Sequence, residues 1–266
     1  MQYQAQLKKM LTEYQNPIQY YLETESDFIN VNQLIDKNVS IEFERYQCLS
    51  CNKNKKIFRQ GYCYDCFTSS AQVGDWIMKP ELSKAHLDIA DRDLDYEKSV
   101  QLQPHIVYLA LSSNVKVGVT RKTQVPTRWI DQGASKALAI LETPNRYLAG
   151  ITEVALKEFV SDKTSWQKML KNEVLETDLI SEMHQLEKHI PKEAKPYFLA
   201  DNKDIYEINF PVLQYPTKIK SLNLTKTPYI TGKLKGIKGQ YLIFENGSVF
   251  NVRNNEGNVV RITIES

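Results

Sequence analysis

A chain of 266 residues with 42% hydrophobic content can bury a full core, and it is also long enough for two or three smaller units. The formal net charge of +2 excludes a uniformly basic nucleic-acid binder, so any electrostatic attraction must come from local patches. The N-terminus has no apolar signal-peptide core and no later run approaches about 20 apolar residues, so a soluble cytoplasmic protein without a membrane partner is expected.

In chain order, Leu7, Met10, Leu11 and Tyr14 fall at the i, i+3, i+4, i+7 spacing of a short amphipathic helix. Residues 18–45 then turn strand-like: Tyr20-Tyr21-Leu22, Phe28-Ile29-Asn30-Val31 and Val39-Ser40-Ile41-Glu42-Phe43 are separated by polar breaks, and a small antiparallel sheet is expected. Helix and sheet make a first segment, 1–46. The next, 47–80, holds Cys48-Leu49-Ser50-Cys51 and, eleven residues on, Cys63-Tyr64-Asp65-Cys66. Each C-x-x-C sets two thiolates on one tight turn, and two such turns complete a tetrahedral shell of four sulfurs. In a reducing compartment the spacing predicts a zinc site held by Cys48, Cys51, Cys63 and Cys66 rather than disulfides. With all four positions filled, that site is structural and not catalytic. Lys53, Lys55, Lys56, Arg59 and the aromatic Phe58 between the pairs read either as a grip on a phosphate backbone or as a solvated basic loop. Lys79-Pro80 ends this segment. From Glu81 to Lys98 six acids outnumber three bases, which marks 81–104 as an acidic connector or exposed helix. Its His86 reads as a surface residue or an extra metal ligand.

The segment 105–172 is the most informative. His105 to Leu111 and Val115 to Thr120 form an apolar hairpin around Ser112-Ser113-Asn114. With a three-residue turn, Leu111 faces Val115 and Tyr108 faces Gly118, so Tyr108, Ala110, Lys116, Gly118 and Thr120 share one face. A glycine beside a tyrosine leaves backbone open to a phosphate, with the phenol and the Lys116 amine at its edge; alternatively the ring simply covers the glycine. Val125-Pro126 is expected to open a helix with Arg128 in its first turn, where an anionic ligand or Asp131 would relieve the unfavourable cation. Residues 137–142 read as a buried strand, and Thr143-Pro144 opens a helix reaching Val160. Leu148, Ile151, Ala155 and Phe159 form its expected apolar face, with Arg146, Gly150, Glu153 and Lys157 together on the other side. Gly150 costs about 1 kcal/mol relative to alanine inside a helix, which points to close packing there. Glu153 reads as a site carboxylate or as a surface partner of Lys157. Ten Lys/Arg against five Asp/Glu make the segment locally basic.

The final segment, 173–266, begins helical; His184 and His189 are five apart, a poor spacing for a metal pair. After Pro191 it turns β-rich: Tyr206 to Phe210, Tyr229 to Leu234, Tyr241 to Phe244, an Asn246-Gly247 hairpin turn, Val249 to Arg253 and Val259 to Ile264. A small antiparallel, barrel-like β element is expected, as a packing platform or a further nucleic-acid surface.

Tyr108 in Val107-Tyr108-Leu109, the Lys116-Val117-Gly118 triplet, Arg128 on one helix and Glu153 on the next resemble, in order, the core of GIY-YIG endonucleases. Val117-Gly118-Val119-Thr120-Arg121, Thr127-Arg128-Trp129-Ile130-Asp131-Gln132-Gly133-Ala134, Asn145-Arg146-Tyr147-Leu148-Ala149-Gly150 and Asp162-Lys163-Thr164-Ser165-Trp166, with the cysteine knuckles upstream, are similar to the bacterial domain of unknown function 2797. The nuclease resemblance implies Tyr108 as base or water-positioner, Arg128 as phosphate clamp and Glu153 as ligand of one Mg²⁺ or Mn²⁺. Lys116 stands where that signature has its second tyrosine, and could contact a phosphate or lower the pKa of Tyr108. The expected architecture is α+β: a GIY-YIG-like small mixed sheet with helices, a four-cysteine zinc knuckle and a C-terminal antiparallel β element. The expected function is metal-dependent cleavage of DNA or RNA, or binding of nucleic acid by a degenerate nuclease fold.

Overall fold

The structure is a computed structural model and describes residues 1–160 and 165–265. The chain begins with β1 (Gln2–Gln6), β2 (Leu11–Glu13), β3 (Gln19–Glu23), β4 (Phe28–Asn30) and the long β5 (Asn38–Tyr46). A short hairpin of β6 (Ile57–Arg59) and β7 (Tyr62–Cys63) leads into α1 (Tyr64–Ser69), α2 (Asp75–Met78) and α3 (Leu94–Gln101). The central part runs β8 (His105–Leu111), β9 (Val115–Arg121), α4 (Thr127–Asp131), β10 (Lys136–Thr143) and α5 (Arg146–Lys157). After α6 (Trp166–Leu170), α7 (Leu179–Leu186) and β11 (Tyr206–Glu207) come β12 (Lys220–Leu222), β13 (Tyr229–Lys238), β14 (Tyr241–Phe244), β15 (Ser248–Asn251) and β16 (Asn258–Glu265).

These elements form two compact units. One comprises Met1–Thr68, Ile130–Gly133 and the C-terminal residues from Ile208; the other comprises Ser69–Trp129 and Ala134–Glu207.

In the first unit seven strands join in the order β1-β16-β5-β13-β14-β15-β12, antiparallel except for β12 beside β15. The helix expected over residues 1–14 is absent: β1 pairs with β16, Gln2 opposite Thr263 and Gln6 opposite Val259. Leu7 and Met10 are buried, but Leu11 and Tyr14 are half exposed, so the helical spacing marked no continuous face. A strand from the opposite end of the chain decides this segment, and local periodicity carries no trace of it. The barrel-like C-terminal element is corrected as well, because the sheet stays open, ending at β1 and β12. The first half of β13 pairs with β5 and its second half with β14, with the register slipping between Leu234 and Gly236. N-terminal strands thus occupy the edge that a self-closing barrel would have needed. Leu7, Met10, Ile29, Val39, Phe250 and Ile262 line the interior around a gap of only about 20 Å³.

In the second unit four antiparallel strands run in the order β11-β10-β8-β9. β8 is sandwiched between β9 and β10, and all seven of its residues are buried. The hairpin has the three-residue turn and the register expected, Leu111 opposite Val115 and Tyr108 opposite Gly118. Val107, Leu109, Leu111, Val115 and Val117 point into a core completed by Leu138, Leu156, Leu179 and Met183. Tyr206, expected to open the C-terminal β element, instead pairs with Ala137 at the edge of this sheet.

Helix α5 starts where Asn145 accepts a hydrogen bond from the Leu148 N–H at 2.9 Å, a side-chain N-cap after Thr143-Pro144. Its faces differ from the expected ones. Arg146, Ala149, Gly150, Thr152, Glu153 and Leu156 are buried, whereas Leu148, Ile151 and Ala155 are half-buried and Phe159, just beyond, is exposed. The cause is at Gly150, where a Cβ would lie 2.3 Å from both the Pro80 carbonyl carbon and the Glu81 nitrogen. Backbone of residues 80–81 lies directly on this side of the helix and buries its polar residues.

Candidate functional site

The cysteine centre is built by turn chemistry. Asn52 and Gln60 adopt left-handed backbone (φ 56° and 52°), Gly61 follows at φ 76°, and Leu49 N–H donates to the Gly61 carbonyl at 2.9 Å, which closes the two knuckles on each other. The sulfurs of Cys48, Cys51, Cys63 and Cys66 all lie within 4.8 Å of one another, with Cys51 and Cys63 at 3.9 Å. A tetrahedral ion with bonds of about 2.3 Å needs sulfurs about 3.8 Å apart, so the donor set fits a metal such as zinc. All four cysteines are free thiols rather than disulfide-bonded. Burial pushes the Cys48 thiol up, but N–H groups of Cys51, Cys63 and Ser50 stabilise its thiolate and bring it down to about 6. Cys66 gains from a hydrogen bond with Ser50, yet burial and the neighbouring sulfurs push it up to about 12. Four thiols this crowded cannot all ionise unaided, and a bound dication removes that conflict.

The surface of the knuckle is aromatic as well as basic. Phe58 is exposed, with the Arg59 guanidinium 5.4 Å from its ring centre and the rings of Tyr64 and Phe67 edge-on at 5.3 and 5.2 Å. Lys53 and Lys56 of the same loop are exposed, and Lys55 pairs with Asp65 at 2.6 Å.

In the second unit Tyr108 is fully buried. A Cβ at Gly118 would come within 2.6 Å of its phenol, and its ring meets Trp129 at 5.7 Å, edge to face. The ring therefore covers the glycine and fills the space where a phosphate would approach. Lys116 stands opposite Ala110 and is half-buried. Arg128 is on α4, which begins at Thr127, one residue beyond the expected Pro126. Glu153 is buried; burial raises its pKa, opposed by Lys157, whose amine lies 3.1 Å away, and by Arg146.

Arg146 joins these groups. Burial lowers its pKa to about 10, Glu153 and Glu81 favour its charge, and Arg121 and Arg128 oppose it. Its Nε and Nη2 donate to the carbonyls of Trp76 (3.1 Å) and Ile77 (2.8 Å), and the guanidinium lies 5.6 Å over the Trp76 ring. The charges of Glu153 and Arg128 both act on Arg146, the first favouring and the second opposing its charged form, whereas Tyr108 is packed against Gly118 and Trp129. The approach of Glu81 and the burial of Arg146 were missed from the sequence; the signal was Gly150, the contact that brings residues 80–81 onto α5. His86 stacks on Tyr147 at 4.5 Å and His189 on Phe159 at 3.4 Å. Among the described residues the cysteines are the one cluster with metal-ligand geometry. Residues 162–164 of the quoted Asp162-Lys163-Thr164-Ser165-Trp166 motif lie outside the described residues. Among the described residues no helix is long and apolar enough to cross a membrane.

Neither the curated proteins nor the solved structures contain a match to this chain. The family model described as "Protein of unknown function (DUF2797)" matches residues 36–260, which spans both units and the cysteine knuckles, and the chain belongs to that family.

Proposed function

We propose that this protein binds nucleic acid, with a structural zinc ion held by Cys48, Cys51, Cys63 and Cys66. The observation that carries this reading is the exposed Phe58 with Arg59 over its ring, in a loop whose Lys53 and Lys56 are also exposed. An exposed ring amid cations offers a face for a base to stack on and charges for the flanking phosphates. Four thiolates in tetrahedral reach favour zinc, which would contribute on the order of 10 kcal/mol to folding the knuckle. Fluorescence anisotropy with labelled single- and double-stranded DNA and RNA tests this. Affinity is expected to fall steeply with salt, each Lys or Arg removed should reduce the slope by about one, and Phe58→Ala should cost roughly 1–3 kcal/mol. Binding indifferent to salt sinks the proposal.

A second reading, metal-dependent cleavage, is supported by the charges of Arg128 and Glu153 both acting on Arg146. Glu153, with Glu81 close enough to act on it, would offer oxygen ligands to Mg²⁺ or Mn²⁺, while Arg128 holds the phosphate. Tyr108 would have to leave Gly118 to reach water, which makes binding without cleavage the better reading. Nicking that requires Mg²⁺ or Mn²⁺ and disappears in Glu153→Gln would reverse that order.

A further inference from the structure

In the second unit, the sheet face that α5 covers carries unpaired positive charge at one end. Arg121 stands directly opposite His105, and His105 opposite Thr143, so the last residue of β9, the first of β8 and the last of β10 form one row. Directly opposed residues share a face, and this one is the face of Val107, Leu109 and Val117, on which Ala149 and Leu156 of α5 pack. The row meets the beginning of α5. Only Pro144 and Asn145 separate Thr143 from Arg146, and the Thr143 hydroxyl donates to the Asn145 carbonyl at 2.9 Å. Arg121 and Arg146 therefore lie at the same end of the same face, and the charges of both oppose protonation of the His105 ring.

Neither guanidinium has a carboxylate in contact with it. Arg146 is 9% exposed and commits Nε and Nη2 to the Trp76 and Ile77 carbonyls. Its Nη1 makes no such bond and is not among the buried atoms that lack a partner, so it reaches solvent. Glu153 and Glu81 favour its charge from beyond ion-pair distance, and Glu153 is held by Lys157 at 3.1 Å. Arg121 is half-buried and, among the described residues, makes no ion pair and no side-chain hydrogen bond; the same holds for Arg128. The charges of both act against that of Arg146. Lys122, next to Arg121, shows the contrast: it pairs with Glu142 at 2.7 Å. Like charges without a counter-ion in contact destabilise one another, most of all where one is buried. The first turn of α5 adds to the positive field, because the N–H groups of Arg146 and Tyr147 have no intrahelical acceptor and Asn145 caps only that of Leu148.

We infer that Arg121, Arg146 and the first turn of α5 form a binding site for a phosphate group. Guanidinium N–H groups and free N–H groups at a helix start are the donors that phosphate oxygens accept, and an anion there relieves the repulsion among the arginines. Several positive charges around one position favour a phosphate over a single carboxylate. The nuclease resemblance puts a phosphate on Arg128 and gives no role to Arg121 or Arg146. That the phosphate belongs to a nucleic acid rests on the proposed function; a free phosphate ester offers the same oxygens.

The test uses the full-length protein, ¹⁵N-labelled. The Arg146 Nε–H is protected by its bond to the Trp76 carbonyl, so its signal is observable and is assigned through the backbone of residue 146. Inorganic phosphate should move that signal and raise the urea midpoint beyond the effect of sodium chloride at equal ionic strength. Arg121→Gln should weaken phosphate binding at least tenfold, whereas Lys122→Gln, which removes a charge already paired with Glu142, should leave it within twofold. A response to phosphate no larger than that to chloride overturns the inference. Binding unchanged in Arg121→Gln, or weakened equally in the two variants, also overturns it and leaves an adventitious ion only. A short single-stranded oligonucleotide separates the sources. If it moves the Arg146 signal in wild type and not in Arg121→Gln, the site stands and takes the nucleic-acid backbone. Phosphate binding that depends on Arg121, without oligonucleotide binding, supports the site for a free phosphate compound and sinks the knuckle. Oligonucleotide binding that depends on Phe58 while the Arg146 signal ignores both ligands sinks the site and spares the knuckle.

Discussion

At the scale of single residues, two glycines carry opposite lessons about reading a residue type. Gly118 was open to two interpretations, and the fully buried Tyr108 ring lying on it selects the covering role. Gly150 was read as a close approach, and the backbone atoms of Pro80 and Glu81 meet it. Helix propensity alone would make Gly150→Ala stabilising by about 1 kcal/mol. The clash at 2.3 Å is with main-chain atoms that cannot swing aside, so overpacking decides the sign. Gly150→Ala is expected to destabilise the fold by roughly 2 kcal/mol in urea denaturation; a stabilised variant would show that residues 80–81 do not dock on α5. Glu97 gives a second test of buried polar order. Its carboxylate satisfies three backbone N–H groups, and Glu97→Ala leaves all three without their acceptor. A loss of roughly 3–5 kcal/mol is expected from the same measurement.

At the scale of elements, what was legible in the sequence is what is decided locally. Two C-x-x-C turns need only their own backbone to converge, and the β8–β9 register follows from a three-residue turn, so both were readable. The segment of residues 1–14 and the strand at Tyr206 were misread because their partners, β16 and β10, are distant in sequence. The faces of α5 were inverted for a related reason: Arg146 is buried at little cost because two carbonyls accept its N–H groups, and no periodicity records that. Of the residues whose charges act on Arg146, Arg128 and Glu153 were singled out in the sequence, whereas Glu81 was invisible until residues 80–81 were seen on the helix. The knuckle has little apolar core, since Lys53, Lys55, Lys56, Phe58 and Arg59 are all exposed. Its order should therefore depend on metal. Protein purified without added zinc is expected to carry about one equivalent, and Cys63→Ser or a strong chelator should abolish both the metal and the hydrogen-exchange protection of the β6–β7 amides. Full protection after metal removal would contradict this.

At the scale of the whole molecule, a net charge of +2 leaves little global electrostatic pressure, so the acid limb of stability should be set by individual buried groups. His105 is the fully buried one of the four histidines. Its Nδ1 lies 2.7 Å from the Gln103 carbonyl and so carries the proton of the neutral ring, while Nε2 is buried without a partner. Burial lowers its pKa to about 4; the Gln103 contact opposes this, and the nearby charges of Arg146 and Arg121 add to it. In the unfolded chain the same ring titrates near 6.5. Between these values the unfolded state binds more protons, so stability is complete above about 6.5 and is lost as pH falls toward 4, by at most ~3 kcal/mol. The raised carboxyls of Glu153 and Glu256 act in the opposite sense on acidification, so the wild-type curve alone cannot isolate the histidine. The difference between wild type and His105→Gln can, because the carboxyl contributions cancel. Urea midpoints measured from pH 7 to 4.5 should fall more steeply for wild type than for the variant, whatever the variant costs at neutral pH. Parallel curves would mean that the folded protein accommodates a charged ring at position 105.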